Sequence, residues 1–99
     1  MEAIFKKENG ILTVSPSGRL DTVSSAELKD QIDAEGPDGL DIHMDFSGIE
    51  YISSAGLRLL VALQKKTNST GNKLIIKNVG KVVNQVFSVA GFNKILTIE

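Results

Sequence analysis

The groups in this sequence that could do covalent or acid–base chemistry are few: one histidine, His43, no cysteine, and serines scattered along the chain. A serine hydrolase holds its nucleophile beside a base on a strained strand-to-helix turn, and no G-x-S-x-G elbow supplies that turn. His43 falls on a predicted strand, on the face opposite Ile42 and Met44, where a lone imidazole is more often packed or wet than catalytic. A small hydrolase pairing Ser54 with His43 is therefore a weak reading, and a nucleotide-binding role is weaker still. Neither G-x-x-x-x-G-K-[ST] nor G-x-G-x-x-G is present to cradle a nucleotide's phosphates. Asp38, Asp41 and Asp45 read as turn and strand-edge residues rather than a ligand cluster, so no metal and no cofactor are expected.

One hydroxyl is better placed. The run Met44-Asp45-Phe46-Ser47-Gly48-Ile49-Glu50-Tyr51-Ile52-Ser53-Ser54-Ala55-Gly56-Leu57 carries a strand through a tight loop into a helix. Ser54 falls where an N-cap belongs, its oxygen accepting from a backbone N–H two or three residues on; Ser53, one residue earlier, competes for that position. Capping alone would explain a serine here.

The elements that must position this hydroxyl belong to a single domain, because 99 residues leave no room for two cores. A chain of this length buries roughly 60–65% of its unfolded surface, enough to fold without disulfide or metal. Eleven Lys and Arg against 12 Asp and Glu leave a net charge of −1, with no basic run to track a nucleic-acid backbone. The start, Met1-Glu2-Ala3-Ile4-Phe5-Lys6-Lys7, lacks the apolar region of a signal peptide. The longest apolar stretch, Leu57 to Leu63, is broken by Arg58 and is too short to span a bilayer. A cytoplasmic protein with no membrane contact is expected.

Ala3–Lys7 and Ile11–Val14 flank Asn9-Gly10 as a β-hairpin, after which Pro16-Ser17-Gly18 is expected to break the strand. Val23–Glu35 reads as a helix, begun either by Thr22 as cap or by Ser24 with Glu27 as a capping box, and ended by Gly36-Pro37. Asp41–Phe46 alternates as a strand. A second helix spans about Ser54–Thr70, and Leu74-Ile75-Ile76 resembles a strand covered on both faces. A third helix runs from Lys81 to Ala90, presents Val83, Val86, Phe87 and Ala90, and ends at Gly91. Ile95–Ile98 closes the chain as a last strand. The order ββαβαβαβ predicts an α/β fold: a mixed, mostly parallel sheet with an N-terminal hairpin and three main helices. In the second helix, 100° per residue puts Gly56, Leu59, Leu60 and Leu63 toward the sheet. Leu57 and Val61 fall with Ser54, Arg58 and Lys65 on another face. They form either a docking patch or a surface that another element covers.

Three motifs together resemble the STAS domain of bacterial anti-sigma-factor antagonists over nearly the whole chain, Ile4 to Ile98. They are Ser17-Gly18-Arg19-Leu20-Asp21-Thr22, Met44-Asp45-Phe46-Ser47 and Tyr51-Ile52-Ser53-Ser54-Ala55-Gly56-Leu57; the closing Val86-Phe87, Ala90-Gly91-Phe92 and Ile95 also match. The resemblance implies that residues 1–99 form one such domain and that Ser54 is phosphorylated by a partner that is both anti-sigma factor and serine kinase. The unphosphorylated form would bind that partner and free a sigma factor, and a metal-dependent serine phosphatase would reset the switch. Asp21 matches an acidic residue near the phosphosite, and Thr22, Ser53, Ala55, Leu57, Arg58 and Val61 would complete the partner-binding surface; size and an unremarkable surface predict a monomer when free. The best-known members carry Asp-Ser-Ser-Gly-Leu, whereas here Ser53 replaces the aspartate and Ala55 the second serine, so Ser53 competes as acceptor. STAS-like domains also serve as unphosphorylated accessory subunits of lipid-transport complexes or stress-signalling scaffolds, which is the alternative reading.

Overall fold

Turn chemistry at the first hairpin sets the architecture. In a computed structural model describing residues 1–99, Asn9 and Gly10 sit at φ 54° and 76°, the left-handed pair that a two-residue turn matched to strand twist requires. The turn joins β1 (Glu2–Glu8) to β2 (Ile11–Leu20), in register from Glu8 opposite Ile11 to Glu2 opposite Ser17. The chain continues through α1 (Thr22–Ala34), β3 (Asp41–Asp45), β4 (Gly48–Ile52), α2 (Ser54–Ser69), β5 (Leu74–Lys77), α3 (Lys81–Ala90), a 3-10 turn at Phe92–Lys94 and β6 (Thr97–Ile98). The sheet order is β1-β2-β3-β5-β6, with β4 also paired to β2. Only the hairpin is antiparallel; every other pairing is parallel. The fold is thus the expected mixed α/β domain with three helices.

Two strand expectations need correcting. Pro16-Ser17-Gly18 does not break β2, which runs on to Leu20. Pro16 lies where β2 has passed β3, whose last partner is Val14, and has not reached β4, whose first partner is Ser17. Its missing N–H therefore removes no bond from that edge, and the register shift between Gly18 and Arg19, where β4 gains one residue on β2, lies beyond it. The second correction is β4 itself, which the alternation did not reveal. It follows β3 along the same edge of β2 and pairs Arg19 with Tyr51 and Leu20 with Ile52. The order becomes ββαββαβαβ, and the extra strand delivers Ser53 and Ser54 to the end of β2.

The core lies between one sheet face and the helices. Leu12, Val14, Ile42, Met44, Leu74 and Ile76 alternate inward from the strands and meet Leu28 and Ile32 of α1 and Leu60 and Leu63 of α2. As the periodicity of α2 requires, Gly56, Leu59, Leu60 and Leu63 are its buried positions, together with Thr67. The third helix buries Val83 and Phe87; Val86 is half-buried and Ala90 exposed, so its core stripe is narrower than expected. Gly91 ends it in the left-handed conformation, and the last strand shortens to Thr97–Ile98 because the 3-10 turn uses the preceding residues. β5 is covered on one face only: Ile75 is half-buried and pairs with His43 on the open side of the sheet. Two aspartates pin β3 to the loops around β5. Asp41 accepts from Asn72 Nδ2 and the Lys73 N–H, and Asp45 from Asn78 Nδ2 and the Ser47 N–H. These bonds, led in each case by the asparagine amide, hold both carboxyls below the ordinary aspartate range.

Candidate functional site

The ends of β2 and β4 bring the starts of α1 and α2 together. Leu20, the last residue of β2, turns its carbonyl toward Ser53 and accepts from both the Ser53 N–H and the Ser53 hydroxyl at 2.9 Å. The same hydroxyl oxygen accepts from the Gly56 N–H at 3.3 Å. Ser53, not Ser54, is therefore the N-cap of α2. The sequence motif fits a cap at either serine, and β4 decides between them, because Ile52 ends the ladder beside Leu20. Gly56 is needed for this join. A Cβ there would lie 2.6 Å from Ile52 Cγ1 and 3.0 Å from the Leu20 carbonyl oxygen, closer than packed atoms approach.

Displaced from the cap, Ser54 becomes the first residue of α2. It is exposed, and its hydroxyl enters none of the side-chain hydrogen bonds that occupy Ser53. A group added to it would meet the free N–H end of α2 without breaking an existing contact.

The start of α1 is also corrected. Neither Thr22 nor a Ser24–Glu27 box begins it; Asp21 is the N-cap, in a reciprocal box with Ser24. Asp21 Oδ1 accepts from the Ser24 N–H at 2.9 Å, and the Asp21 N–H donates to Ser24 Oγ at 2.9 Å. Ser24 Oγ–H in turn reaches the Arg19 carbonyl at 2.6 Å. The bond from the Ser24 N–H, then that from its hydroxyl, lowers the Asp21 pKa. From β2 the Arg19 guanidinium lies 4.6 Å from the centroid of the Tyr51 ring on β4, a cross-strand cation–π pair.

The remaining expected residues divide into two groups. Thr22, Ala55 and Arg58 line a groove of about 280 Å³ between α1 and α2. Leu57 and Val61 lie on the other flank of α2. Both are half-buried, and Leu57 packs partly against the core. They are neither the fully wet patch nor the fully covered surface posed by the helical wheel, and they keep an apolar edge beside Ser54. His43 stays on the open sheet face between Thr13 and Ile75. No group of three or more His, Cys, Asp or Glu residues is disposed to hold a metal, and no helix is long and apolar enough to cross a membrane. The groove, lined also by Ser25 and Lys29, was not foreseen, because it depends on how closely two helices lie and not on either helix alone.

Residues 2–99 match the model of the STAS domain. An anti-sigma-F factor antagonist of Mycobacterium tuberculosis, RsfB, is 28% identical over 89 residues, covering 87% of this chain and 70% of the relative. The anti-sigma-B factor antagonist of Staphylococcus epidermidis is 26% identical over 87 residues, covering 87% and 81%. The fold superposes on the unphosphorylated form of the anti-sigma factor antagonist SpoIIAA with a TM-score of 0.82 at 16% identity, covering 99% of this chain and 88% of that one. The phosphorylated Bacillus form gives 0.73 at 14%, covering 99% and 91%.

Proposed function

Because the chain belongs to the STAS domain family, we propose that it antagonises an anti-sigma factor by docking through the start of α2, and that phosphate on Ser54 ends the contact. Exposure of an unengaged Ser54 hydroxyl at the first position of α2, beside a Ser53 hydroxyl already committed to Leu20 and Gly56, is the observation that carries the reading. Ser54 is accordingly the acceptor and Ser53 the structural cap. The names of the relatives support the partner class, and the two solved forms of SpoIIAA, one phosphorylated, support a family fold that accommodates the modification.

The physical logic is asymmetric. For its own domain a dianion on Ser54 is tolerated, because a helix start favours negative charge by roughly 0.3–1 kcal/mol. For a docked partner it is a new charge in a desolvated contact, costing several kcal/mol. Each 1.4 kcal/mol is tenfold in affinity, so one phosphate removes about two to three decades of binding. The partner is an anti-sigma factor that doubles as the serine kinase, and a metal-dependent serine phosphatase restores the hydroxyl. Asp21, Thr22, Ser53, Ala55, Leu57, Arg58 and Val61 surround the acceptor on the docking face. The protein works in the cytoplasm, by binding rather than catalysis, and is monomeric when free.

The test uses wild type, Ser54→Ala, Ser54→Asp and a form with phosphoserine encoded at position 54, each offered to host lysate and then to the purified kinase-fold partner. The alanine form should retain the partner while the aspartate and phosphoserine forms lose it, with superimposable far-ultraviolet circular dichroism. Equal affinities would remove the switch, and a collapsed spectrum would replace it with unfolding. Persistent absence of phosphoserine in protein from its host, together with tight binding to a transporter ATPase, would instead establish the accessory role.

A further inference from the structure

The path β1-β2-β3-β5-β6 ends on two unlike edges. β6 has two residues, too few to template another strand. β1 has seven, in unbroken register with β2 from Glu2 to Glu8, with neither the proline nor the bulge that commonly blunts an edge. The turn at Asn9-Gly10 makes Glu8 and Ile11 the pair that closes the hairpin by exchanging both main-chain bonds. Counting back in twos, Lys6, Ile4 and Glu2 also bond to β2, whereas Ala3, Phe5 and Lys7 direct N–H and C=O away from the sheet. Side chains alternate with the same period. Ala3 and Phe5 pack partly against the core, while Glu2, Ile4 and Lys6 stand on the open sheet face, where Ile4 is 73% exposed. Gln31 Nε2 donates to the Met1 carbonyl at 2.8 Å and ties the start of the strand to α1. The outer edge is thus held extended before anything pairs with it.

We propose that β1 pairs antiparallel with β1 of a second copy of this chain, about a two-fold axis through Ile4, so that one sheet runs across both copies. The charges select both the occupant and the register. In a symmetric antiparallel pair one residue must face itself. Centring on Ile4 sets Glu2 against Lys6 of the second copy and Lys6 against its Glu2, with Ile4 against Ile4 between them. The same register joins Ala3 to Phe5 of the second copy through the outward main-chain groups. The three facing side-chain pairs fall at non-hydrogen-bonded positions, where Cα atoms come to about 4.5 Å and side chains meet most closely. Centring on Phe5 would oppose Glu2 to Glu8, and centring on Lys6 would oppose lysine to lysine, both destabilising. Within one copy the Lys6 ammonium meets Glu8 at 3.3 Å, but both side chains are largely exposed, so exchanging that pair costs little. A contact of this size belongs to the transient class: the chain is monomeric at low concentration and pairs as copies are concentrated. None of the residues around Ser54 lies on β1, so pairing does not use the face that the switch needs.

Sedimentation of the full, unphosphorylated chain tests this directly and should follow a monomer–dimer equilibrium with a Kd of about 0.1 mM. Amide exchange at Ala3 and Phe5 should slow as concentration rises, while Ile4 and Lys6, already bonded to β2, should not change. Glu2→Lys and Lys6→Glu, both at exposed positions, should each weaken self-association about tenfold. Mixed in equal amounts, these two variants should recover the affinity of the wild type, because every facing pair again has opposite signs. Lys7→Glu carries the same change of charge on the other face of β1, and mixed with Glu2→Lys it should not restore pairing. Monomer sedimentation well above the expected Kd would overturn the proposal. So would association indifferent to both reversals, a complementary mixture that fails to recover, or recovery that Lys7→Glu supplies equally well. Protection gained at Val82 and Val89 instead of β1 would overturn it too, by moving the contact to the exposed valines of α3. No phosphorylation enters these measurements, so their outcome and that of the Ser54 experiment stand apart.

Discussion

The starts of α1 and α2 lie side by side and are built in opposite ways. At α1 a charged cap, Asp21, and its partner Ser24 satisfy each other, and Ser24 also closes onto Arg19, leaving the hydroxyl fully used. At α2 the capping is done by a neutral serine tied to β2, and the next residue, Ser54, carries a hydroxyl with no structural duty. A group whose bonds are all internal cannot be modified without loss, whereas one that the fold does not use can carry a signal. The comparison teaches that Ser53 frees Ser54: the cap supplies the structure, so the neighbour need not.

The comparison is broken most severely at Gly56, where α2 touches the end of β2. Gly56→Ala places a methyl against Ile52 and the Leu20 carbonyl, a backbone atom that cannot rotate away. A loss of about 2–3 kcal/mol is expected from this overpacking, measured as a lower urea midpoint with unchanged m-value. Next comes Ser53→Ala, which removes the cap and its hydroxyl bond to Leu20 while keeping the backbone bond. It should cost about 1 kcal/mol. If Ser53 were instead the modified residue, this variant would abolish phosphorylation; the expected result is that phosphate incorporation persists and disappears only in Ser54→Ala.

Much of this arrangement was legible in the sequence, for reasons that differ by residue. Asn9-Gly10 announced its hairpin because few residue pairs accept two positive φ values. The Gly56, Leu59, Leu60, Leu63 stripe gave the buried face of α2, because helical periodicity and apolar burial agree there. What escaped were features that depend on two segments at once. β4 reads as loop because Gly48-Ile49-Glu50-Tyr51-Ile52 interrupts its alternation at the register shift opposite Gly18 and Arg19. Without β4, Ser53 and Ser54 could not be ranked as caps, and the Asp21 cap was hidden because Thr22 and Ser24 offered equally good local chemistry. Pro16 misled for the converse reason: proline breaks ladders in general, but its effect depends on which neighbour is opposite.

Acid sharpens the contrast at α1. The Asp21 carboxyl is held below its ordinary pKa chiefly by the Ser24 N–H and then by the Ser24 hydroxyl. A carboxyl whose folded pKa is lowered contributes stability above its unfolded value, and that contribution is lost as pH falls through the folded pKa. Below about pH 4 amide shifts at the start of α1 should therefore move as the cap protonates, while those of Gly56 and Leu57, held by Ser53, should not respond to a titration of their own cap. In Asp21→Asn, which caps without titrating, the acid response of Ser24 should vanish.

The smallest effect on the fold is expected at Ser54. Its side chain holds no partner, so Ser54→Ala should leave the unfolding free energy measured in urea within about 0.5 kcal/mol of wild type. Phosphoserine there should be neutral or stabilising by roughly 0.3–1 kcal/mol, an increment that shrinks as salt screens the helix end. The sign is the informative quantity. A phosphate that destabilised the isolated domain would mean that the oxygen is packed against something the dianion must displace, and part of any lost affinity would then come from a loosened domain. A phosphate that leaves the domain intact confines the whole penalty to the interface, and this follows only if Ser53 carries the cap alone. Measuring the phosphorylated domain in the Ser53→Ala background separates the two: with the serine cap gone, the phosphate becomes the only side-chain acceptor for the free N–H groups at the start of α2, and its stabilising increment should grow.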